Sequence, residues 1–166
     1  MKYILGVLSL FVLAACQVNT NSNAGELMQV KPATGLSCPI VGDTALARWI
    51  TDGKTLQRLL EGIHRTVIGK EIELPAFDFQ QRSLLLVSMG KKPNPAYRLE
   101  LLDEKLEREG TDRVLHLRWR QPEPGRMYAA VITYPCLWLE MPKLTDSGIR
   151  IVDEQNRQRL YLPAKN

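Results

Sequence analysis

The sequence has few of the residues on which most enzymes depend. It contains two histidines and three cysteines in 166 residues. A Gly-x-Ser-x-Gly elbow, a His-Glu-x-x-His pair and a glycine-rich phosphate loop are all missing. His64 has no second ligand four residues further on, and His116 lies in a different setting. We therefore expect no catalytic residue, no metal site, no cofactor and no enzymatic activity.

Dense runs of basic residues are missing as well. The formal net charge is +4, and 24% of the residues are charged. Charges of both signs are interspersed, and no Lys/Arg run with interleaved aromatic residues occurs. The sequence therefore predicts no nucleic-acid partner.

The first fifteen residues have the order of charges and apolar residues found in a bacterial export signal. Lys2 is followed by the apolar run 4–12 and then by Leu13-Ala14-Ala15-Cys16. The apolar run is much shorter than the roughly 20 residues that a transmembrane helix needs. The Leu-Ala-Ala-Cys end resembles a lipobox, which implies cleavage after Ala15 and attachment of lipid to Cys16. Gln17 follows where Asp would signal inner-membrane retention, so we expect an outer-membrane lipoprotein that faces the periplasm.

The segment after Cys16 differs in composition from the rest of the chain. Residues 16–35 are polar, rich in Asn and poor in large apolar side chains, so we expect a flexible tether. Residues 36–166 are the size of a single globular domain.

Two cysteines remain once Cys16 carries lipid. In an oxidising compartment Cys38 and Cys136 are expected to form a disulfide. The alternative is that one of them is a nucleophile assisted by His64 or His116, although nothing around either cysteine resembles a thiol-hydrolase motif.

Residues 44–67 have a helical period of apolar residues. Leu46, Trp49 and Ile50 predict a short helix capped by Asp43 or Thr44. A second helix is expected from about Lys54 to Arg65, separated from the first by Asp52-Gly53. Its apolar residues recur at Leu56, Leu59, Leu60, Ile63 and Val67.

Residues 74–162 have the patterns of short strands separated by turns. The apolar run Ser83 to Met89 predicts a strand that is buried on both faces. The acidic segment from Asp103 to Glu109 predicts a solvated hairpin turn. Further strands are expected at Tyr97–Leu101, Leu115–Arg120, Met127–Thr133, Cys136–Met141, Gly148–Val152 and Arg159–Leu162. The predicted fold is α+β: a short helical layer, then a mostly antiparallel β sandwich or rolled barrel.

Several motifs in this region resemble the PrcB-like protease complex subunit family, C-terminal domain. The resemblance covers roughly residues 74–143. It implies a non-catalytic protein that binds or stabilises another envelope protein, such as a protease or a protease complex. The motifs are Phe77-Asp78-Phe79, the stretch from Leu84 to Leu101, the Pro122-Glu123-Pro124-Gly125 turn, and Thr133-Tyr134-Pro135 with the strand that follows.

The loop before Tyr97 departs from the family pattern, which is Lys-Pro-Thr-Gly-Gly-Tyr. This chain has Lys92-Pro93-Asn94-Pro95-Ala96-Tyr97, and Pro95 also restricts Asn94, so the two backbones differ. Exposed loops on a rigid sheet often bind partners. The expected partner-binding residues are Lys91, Lys92, Pro93, Asn94, Pro95, Ala96 and Tyr97 in this loop, with Pro124, Gly125 and Arg126 in the later turn.

Two other functions remain open at this point. Trp49, Trp119 and Trp138 could form stacking platforms for a small ligand or an envelope polymer, although all three lie at positions typical of a core. The Asn-Pro loop before Tyr97 also has a weak similarity to the loops of chagasin-like cysteine-protease inhibitors.

Overall fold

The computed structural model describes residues 28–33, 36–64 and 76–164; the side chains of Met28 and of residues 62–64 are not described. This part of the chain forms two β-sheets and one helix. The sheets pack face to face as an open sandwich, not as a closed barrel, and the α+β fold class is confirmed. No helix among these residues is long and apolar enough to cross a membrane.

The first sheet has the strand order β2-β8-β4-β3, and all its pairs are antiparallel. At its centre β4 (Arg82–Ser88) lies between β3 (Leu46–Ile50) and β8 (Cys136–Pro142). The short strand β2 (Lys31–Pro32) covers the other edge of β8. As expected, β4 is buried on both faces: Leu84 to Val87 at its centre are all apolar, and Ser83 and Ser88 beside them are buried as well.

The second sheet has the order β1-β6-β7-β9-β10, and β5 also pairs with β7. Its long strand β7 (Asp112–Arg120) pairs with β5 (Arg98–Leu101) through one half and with β6 (Lys105–Glu109) through the other. On the opposite side β9 (Ile149–Val152) runs parallel to β7, the one parallel pair among the described strands of this mostly antiparallel fold. The edges are β1 (Met28–Gln29) and β10 (Gln158–Leu162).

Alternate residues of β4 pack into two different apolar clusters. Leu85 and Val87 point into the sandwich, where they pack with Leu115, Leu117 and residues of β8 and β9. Leu84 and Leu86 point to the other face, which the helix α1 (Gly53–His64) covers. The second cluster also contains Ile50, Leu56, Leu60 and Trp138.

The helix predicted from about Lys54 is confirmed over Gly53–His64, and residues 65–67 lie outside the described part of the chain. Asp52 caps the helix, because its Oδ1 accepts a hydrogen bond from the backbone N–H of Thr55 at 2.8 Å. This hydrogen bond and a second one from the Thr55 hydroxyl lower the pKa of Asp52.

The helix expected at residues 44–50 is wrong. Leu46–Ile50 forms β3, which pairs with β4 along its whole length. Ala47 and Trp49 pack against the sandwich core, whereas Ile50 belongs to the helix-side cluster. Five residues with apolar side chains on both faces fit either a helix or a strand, and pairing with β4 decided the outcome.

Two further expectations about the β region are also wrong. The acidic segment taken as a turn contains β6, whose Leu106 is fully buried between charged neighbours. The strand expected at Met127–Thr133 is an irregular loop, and only Thr133 makes a β-bridge. This loop follows β7, and none of its apolar residues belongs to either apolar cluster.

Part of the segment that was predicted to be a flexible tether, residues 28–32, belongs to the folded domain. Residues 28–32 contribute β1 to one sheet and β2 to the other, and Val30 between them is 1% exposed. Leu27, Met28 and Val30 are few apolar residues in a segment that is otherwise mostly polar, and composition alone therefore placed this segment outside the domain. Residues 16–27 lie outside the described part of the chain.

Candidate functional site

Two loops that are distant in sequence meet at the start of β5. The backbones of Lys92 and Thr133 exchange two hydrogen bonds, of 2.8 and 2.9 Å. The Thr133 hydroxyl also donates to the carbonyl oxygen of Asn94 at 3.0 Å. We call the surface formed by Lys91–Tyr97 and Pro122–Thr133 the two-loop face.

The first loop is attached to the segment before β3 through a close backbone approach. Gly90 has a φ of +72°, and a Cβ at this position would lie 2.4 Å from the carbonyl oxygen of Asp43. The same oxygen accepts a hydrogen bond from Lys91 N–H at 3.1 Å. A glycine is therefore required where the loop leaves β4.

Within this loop, a side chain and two prolines determine the backbone path. Asn94 Oδ1 accepts a hydrogen bond from Ala96 N–H at 3.0 Å, a turn that asparagine favours. Pro93 and Pro95 are exposed on either side, and the Lys92 ammonium lies 5.6 Å from the centre of the Tyr97 ring. The two prolines fix φ at their positions, and together with the Asn94 turn they limit the number of conformations that the free loop adopts.

The second loop begins with a tight turn at Pro122–Arg126. Arg126 N–H donates to the carbonyl oxygen of Glu123 at 3.3 Å, and Gly125 has a φ of +78°. Tyr128 closes the turn, since its hydroxyl accepts a hydrogen bond from Glu123 N–H at 3.1 Å. The Arg126 guanidinium lies 5.7 Å from the Tyr128 ring centre.

Three large apolar side chains of the second loop are open to solvent. Met127 is 96% exposed, Val131 56% and Ile132 58%. Thr133, directly after Ile132, bridges to Lys92, so the loop that carries these three side chains is attached to the first loop. Exposed large apolar side chains on a loop of this kind are candidates for contact with a partner.

Two cavities flank Pro95. One of about 270 Å³ lies between the loops, where Ala96 faces Glu123, Arg126 and Tyr128. The other, of about 330 Å³, is lined by Tyr97, Tyr134 and the Cys38–Cys136 pair. Both loops therefore border concave surface as well as exposed apolar side chains.

The expected disulfide is present and supports this face. Cys136 begins β8, and its bond to Cys38 joins residues 98 positions apart. The neighbouring Ser37 carbonyl accepts a hydrogen bond from Trp138 Nε1 at 3.0 Å. Both cysteines are consumed in this bond, so neither is the free thiol that the nucleophile alternative requires.

Some residues of both predicted partner-binding segments come together: Pro95 and Ala96 of the first loop line one cavity with Arg126 of the second, and Lys92 bridges to Thr133. The role of Lys91 to Tyr97 and Pro124 to Arg126 in binding stays a prediction. The structure adds Met127, Val131 and Ile132 to this face; the sequence analysis had assigned them to a strand and not to a partner-binding loop. The sequence from Met127 to Thr133 contains two successive alanines and does not alternate between apolar and polar residues. This lack of alternation was the one indication against a half-buried strand.

The three tryptophans do not form a common platform. Trp119 is 9% exposed and Trp138 3%, so both are core residues. Trp49 is half-buried and lines a separate cavity of about 180 Å³ with Ser83 and Leu144. Trp119 and Trp138 therefore offer no aromatic surface to a ligand.

Among the described residues, no three His, Cys, Asp or Glu side chains are close enough to hold a metal ion. His116 lies on the more polar face of β7, as expected, with its Nε2 3.5 Å from a carboxylate oxygen of Glu107. His64 ends α1, and its side chain is not described.

Residues 83–142 match the family described as PrcB C-terminal. The match runs from β4 to β8 and contains both loops of the two-loop face. It confirms the resemblance inferred from the motifs and lies within residues 74–143, where that inference placed it. No curated protein and no solved structure matches the chain.

Proposed function

We propose that this protein is a non-catalytic envelope lipoprotein whose two-loop face binds and stabilises another envelope protein, a protease or a protease complex. The PrcB C-terminal match supports an association with a protease complex. The observation that carries the proposal is the conjunction, on one face, of a proline-braced loop and the exposed side chains of Met127, Val131 and Ile132.

The two loops should lose little conformational entropy when a partner binds. Loops that order only on binding lose conformational entropy, and this loss reduces affinity. Here the bridge between Lys92 and Thr133 and the Asn94 turn hold the first loop in place before a partner arrives. Burial of Met127 and its apolar neighbours then contributes about 25 cal/mol for each Å² removed from water.

The second part of the proposal concerns location. Cys16 is lipidated after removal of residues 1–15 and anchors the domain to the outer membrane on the periplasmic side. Support comes from the Leu-Ala-Ala-Cys sequence and from Gln17. Intact mass spectrometry of the native protein should show an N-terminal cysteine carrying acyl chains. A chain without lipid at Cys16 would contradict the anchor and leave the binding face unaffected.

The binding proposal is tested by copurification. A tagged full-length chain is crosslinked in its native envelope and isolated, with wild type compared to a variant in which residues 92–96 become Gly-Ser-Gly-Ser-Gly. A second variant, Met127→Ser with Ile132→Ser, removes exposed apolar surface without changing the backbone. We expect the same envelope protein with wild type and its loss from both variants.

Leu102→Ser is the matched control, since Leu102 is also an exposed apolar residue, 38% exposed, but lies at the other end of β5. It should leave copurification unchanged. Equal recovery of the partner with wild type and both two-loop variants would remove this face from the contact.

A further inference from the structure

A row of arginines continues from the two-loop face along the open side of β7. The 270 Å³ cavity between the loops shares the lining residues Arg120 and Gln121 with another cavity, which is distinct from the one beside the disulfide. This other cavity has a volume of about 330 Å³ and reaches the turn between β9 and β10. We call the two neighbouring cavities together the arginine trough. Their charged lining residues among those described are two glutamates, Glu123 and Glu154, and six arginines: Arg98, Arg118, Arg120, Arg126, Arg157 and Arg159.

Several of these guanidinium groups are held in place by a carboxylate but keep N–H donors that have no acceptor in the described part of the chain. Arg120 Nε donates to both carboxylate oxygens of Glu100 at 3.0 and 3.1 Å, and Arg118 Nη1 lies 3.5 Å from the same carboxylate. One carboxylate thus serves two arginines, and the described residues give their remaining N–H groups no further hydrogen bond. Arginine presents five N–H donors, so both side chains retain donors for a second carboxylate.

The other wall is fixed by a buried carboxylate. Asp153 is fully buried, and its Oδ2 accepts from Arg157 Nε at 3.0 Å and from Arg159 Nε at 2.8 Å. Arg159 also lies over the Trp119 ring, 5.8 Å from its centre. These contacts hold two more guanidinium groups at the cavity in defined orientations.

The trough already holds one carboxylate from its own chain. Glu154 Oε2 accepts a hydrogen bond from Trp119 N–H at 3.0 Å, at the side of β7 that β9 leaves unpaired beyond His116. A carboxylate therefore fits between this N–H and the arginines. Glu154 is exposed, so an incoming carboxylate can take its place.

We infer that the arginine trough binds an acidic, extended segment of the protein that docks on the two-loop face. This inference rests on the proposed function and adds the charge of the partner. Charge complementarity supports it: the six arginines and the four carboxylates beside them, Glu100, Glu123, Asp153 and Glu154, leave a formal net charge of +2 along the trough. Trp119, whose N–H holds Glu154, is only 9% exposed, and a carboxylate on a flexible peptide side chain reaches this donor more readily than a headgroup held in a flat bilayer does.

The test uses the full-length lipidated protein in a non-ionic detergent and a fluorescein-labelled hexaglutamate peptide, with binding followed by anisotropy. Hexaglutamine is the uncharged control peptide. Wild type should bind hexaglutamate, bind hexaglutamine at least tenfold more weakly, and lose affinity as salt is raised. Absence of hexaglutamate binding at low salt would overturn the inference.

Arg118→Gln with Arg120→Gln should weaken hexaglutamate binding about three- to tenfold, as expected for two partly exposed ion pairs. Arg48→Gln with Arg58→Gln makes the same change of net charge on β3 and α1 and should alter binding less than about twofold. Equal weakening by both pairs would show a general charge effect and would contradict a site in the trough. Melting temperatures of the variants establish that both remain folded.

Glu154→Gln supplies a test in the opposite direction. It removes the carboxylate that competes for Trp119 N–H, so hexaglutamate should bind more tightly, by about two- to fivefold. Unchanged or weaker binding would contradict competition at this position.

Vesicles of zwitterionic lipid with and without phosphatidylglycerol test the membrane alternative, using the same arginine variants. Arginine-dependent binding to anionic vesicles but not to hexaglutamate would replace the peptide by a lipid surface. Copurification separates the two proposals: loss of the partner in the residue 92–96 variant together with full recovery in the Arg118/Arg120 variant would retain the two-loop face and reject the trough.

Discussion

Lys92 and Thr133 exchange two backbone hydrogen bonds between segments that belong to no common sheet. The bridge joins the loop before β5 to the loop before β8, and the Thr133 hydroxyl reinforces it by donating to the Asn94 carbonyl. Two exposed loops thereby become one surface. The account of function depends on this surface being formed before a partner binds.

Thr133→Val removes the hydroxyl hydrogen bond while keeping the shape of the side chain. We expect a loss of about 1 kcal/mol, which corresponds to about fivefold more frequent opening of the bridge. Amide hydrogen exchange at Lys92 and Thr133 measures this directly. Thr111→Val, in an exposed turn, should leave both rates unchanged; equal rates in wild type and Thr133→Val would show that the hydroxyl does not support the bridge.

Gly90→Ala should be among the more damaging single substitutions. The new Cβ would meet the Asp43 carbonyl oxygen at 2.4 Å at a φ that disfavours side chains, so we expect a loss of about 3 kcal/mol in chemical denaturation. Gly110→Ala is the matched control, because Gly110 has a φ of +61° but no neighbouring atom within 4 Å. It should cost only about 1 kcal/mol. Similar losses at the two positions would mean that the close approach at Gly90 is unimportant.

Asp153 links the stability of the β9–β10 turn to pH. Burial opposes its ionisation, but hydrogen bonds from the backbone N–H groups of Arg157 and Gln155 and from the Arg157 and Arg159 guanidinium groups outweigh burial and lower its pKa to about 2. A carboxylate whose pKa is lowered on folding stabilises the protein above its unfolded pKa. This contribution, about 2 kcal/mol, should be complete above about pH 4 and decline as the pH falls towards 2.

Asp153→Asn tests the same contact at neutral pH. It leaves Arg157 and Arg159 without a charged partner and should lower the free energy of unfolding by about 2–3 kcal/mol. Asp103→Asn, at an exposed turn where the carboxylate accepts only Lys105 N–H, should change it by less than about 0.5 kcal/mol. If the wild type and Asp153→Asn lose stability identically between pH 4 and 2, Asp153 is not the group that titrates.

The disulfide should contribute strongly to stability because it joins distant parts of the chain. Cys38 and Cys136 are 98 positions apart, and loop-closure entropy for such a separation stabilises the folded state by about 4 kcal/mol. Denaturation of Cys38→Ser/Cys136→Ser against wild type measures this contribution. Reductant should lower the wild-type melting temperature and leave that of the double variant unchanged; a wild type indifferent to reductant at its unfolding midpoint would contradict this role.

The sequence was most informative where a single local pattern decides the structure. The run Ser83 to Met89 has strand length, four successive apolar residues from Leu84 to Val87 and a glycine after it, which together favour a strand buried on both sides, and β4 has that position. The apolar spacing after Asp52-Gly53 likewise predicted α1, whereas the capping role of Asp52 came from the structure. The disulfide was predicted from the two cysteines that remain if Cys16 carries lipid and the domain is exported to an oxidising compartment.

Sequence reasoning failed where distant pairing decides the structure. Leu46 to Ile50 fits a helix until the pairing with β4 is known. Val30 has no local signal, yet it is buried because β1 and β2 bind different sheets. The loop from Met127 to Thr133 was taken as a strand because exposure of apolar residues cannot be read from composition. Its exposed side chains are therefore the part of the candidate site that only the structure supplies.

The central claim, that the two-loop face contacts an envelope protein, is tested most directly by a photo-crosslinker. A benzoylphenylalanine residue replaces Met127, whose side chain is 96% exposed, or Leu102 as the control, in the full-length protein within its native envelope. The account predicts one discrete crosslinked species from position 127, containing a protease or a protease-complex subunit, and none from position 102. No crosslink at 127, or the same products from both positions, would contradict it.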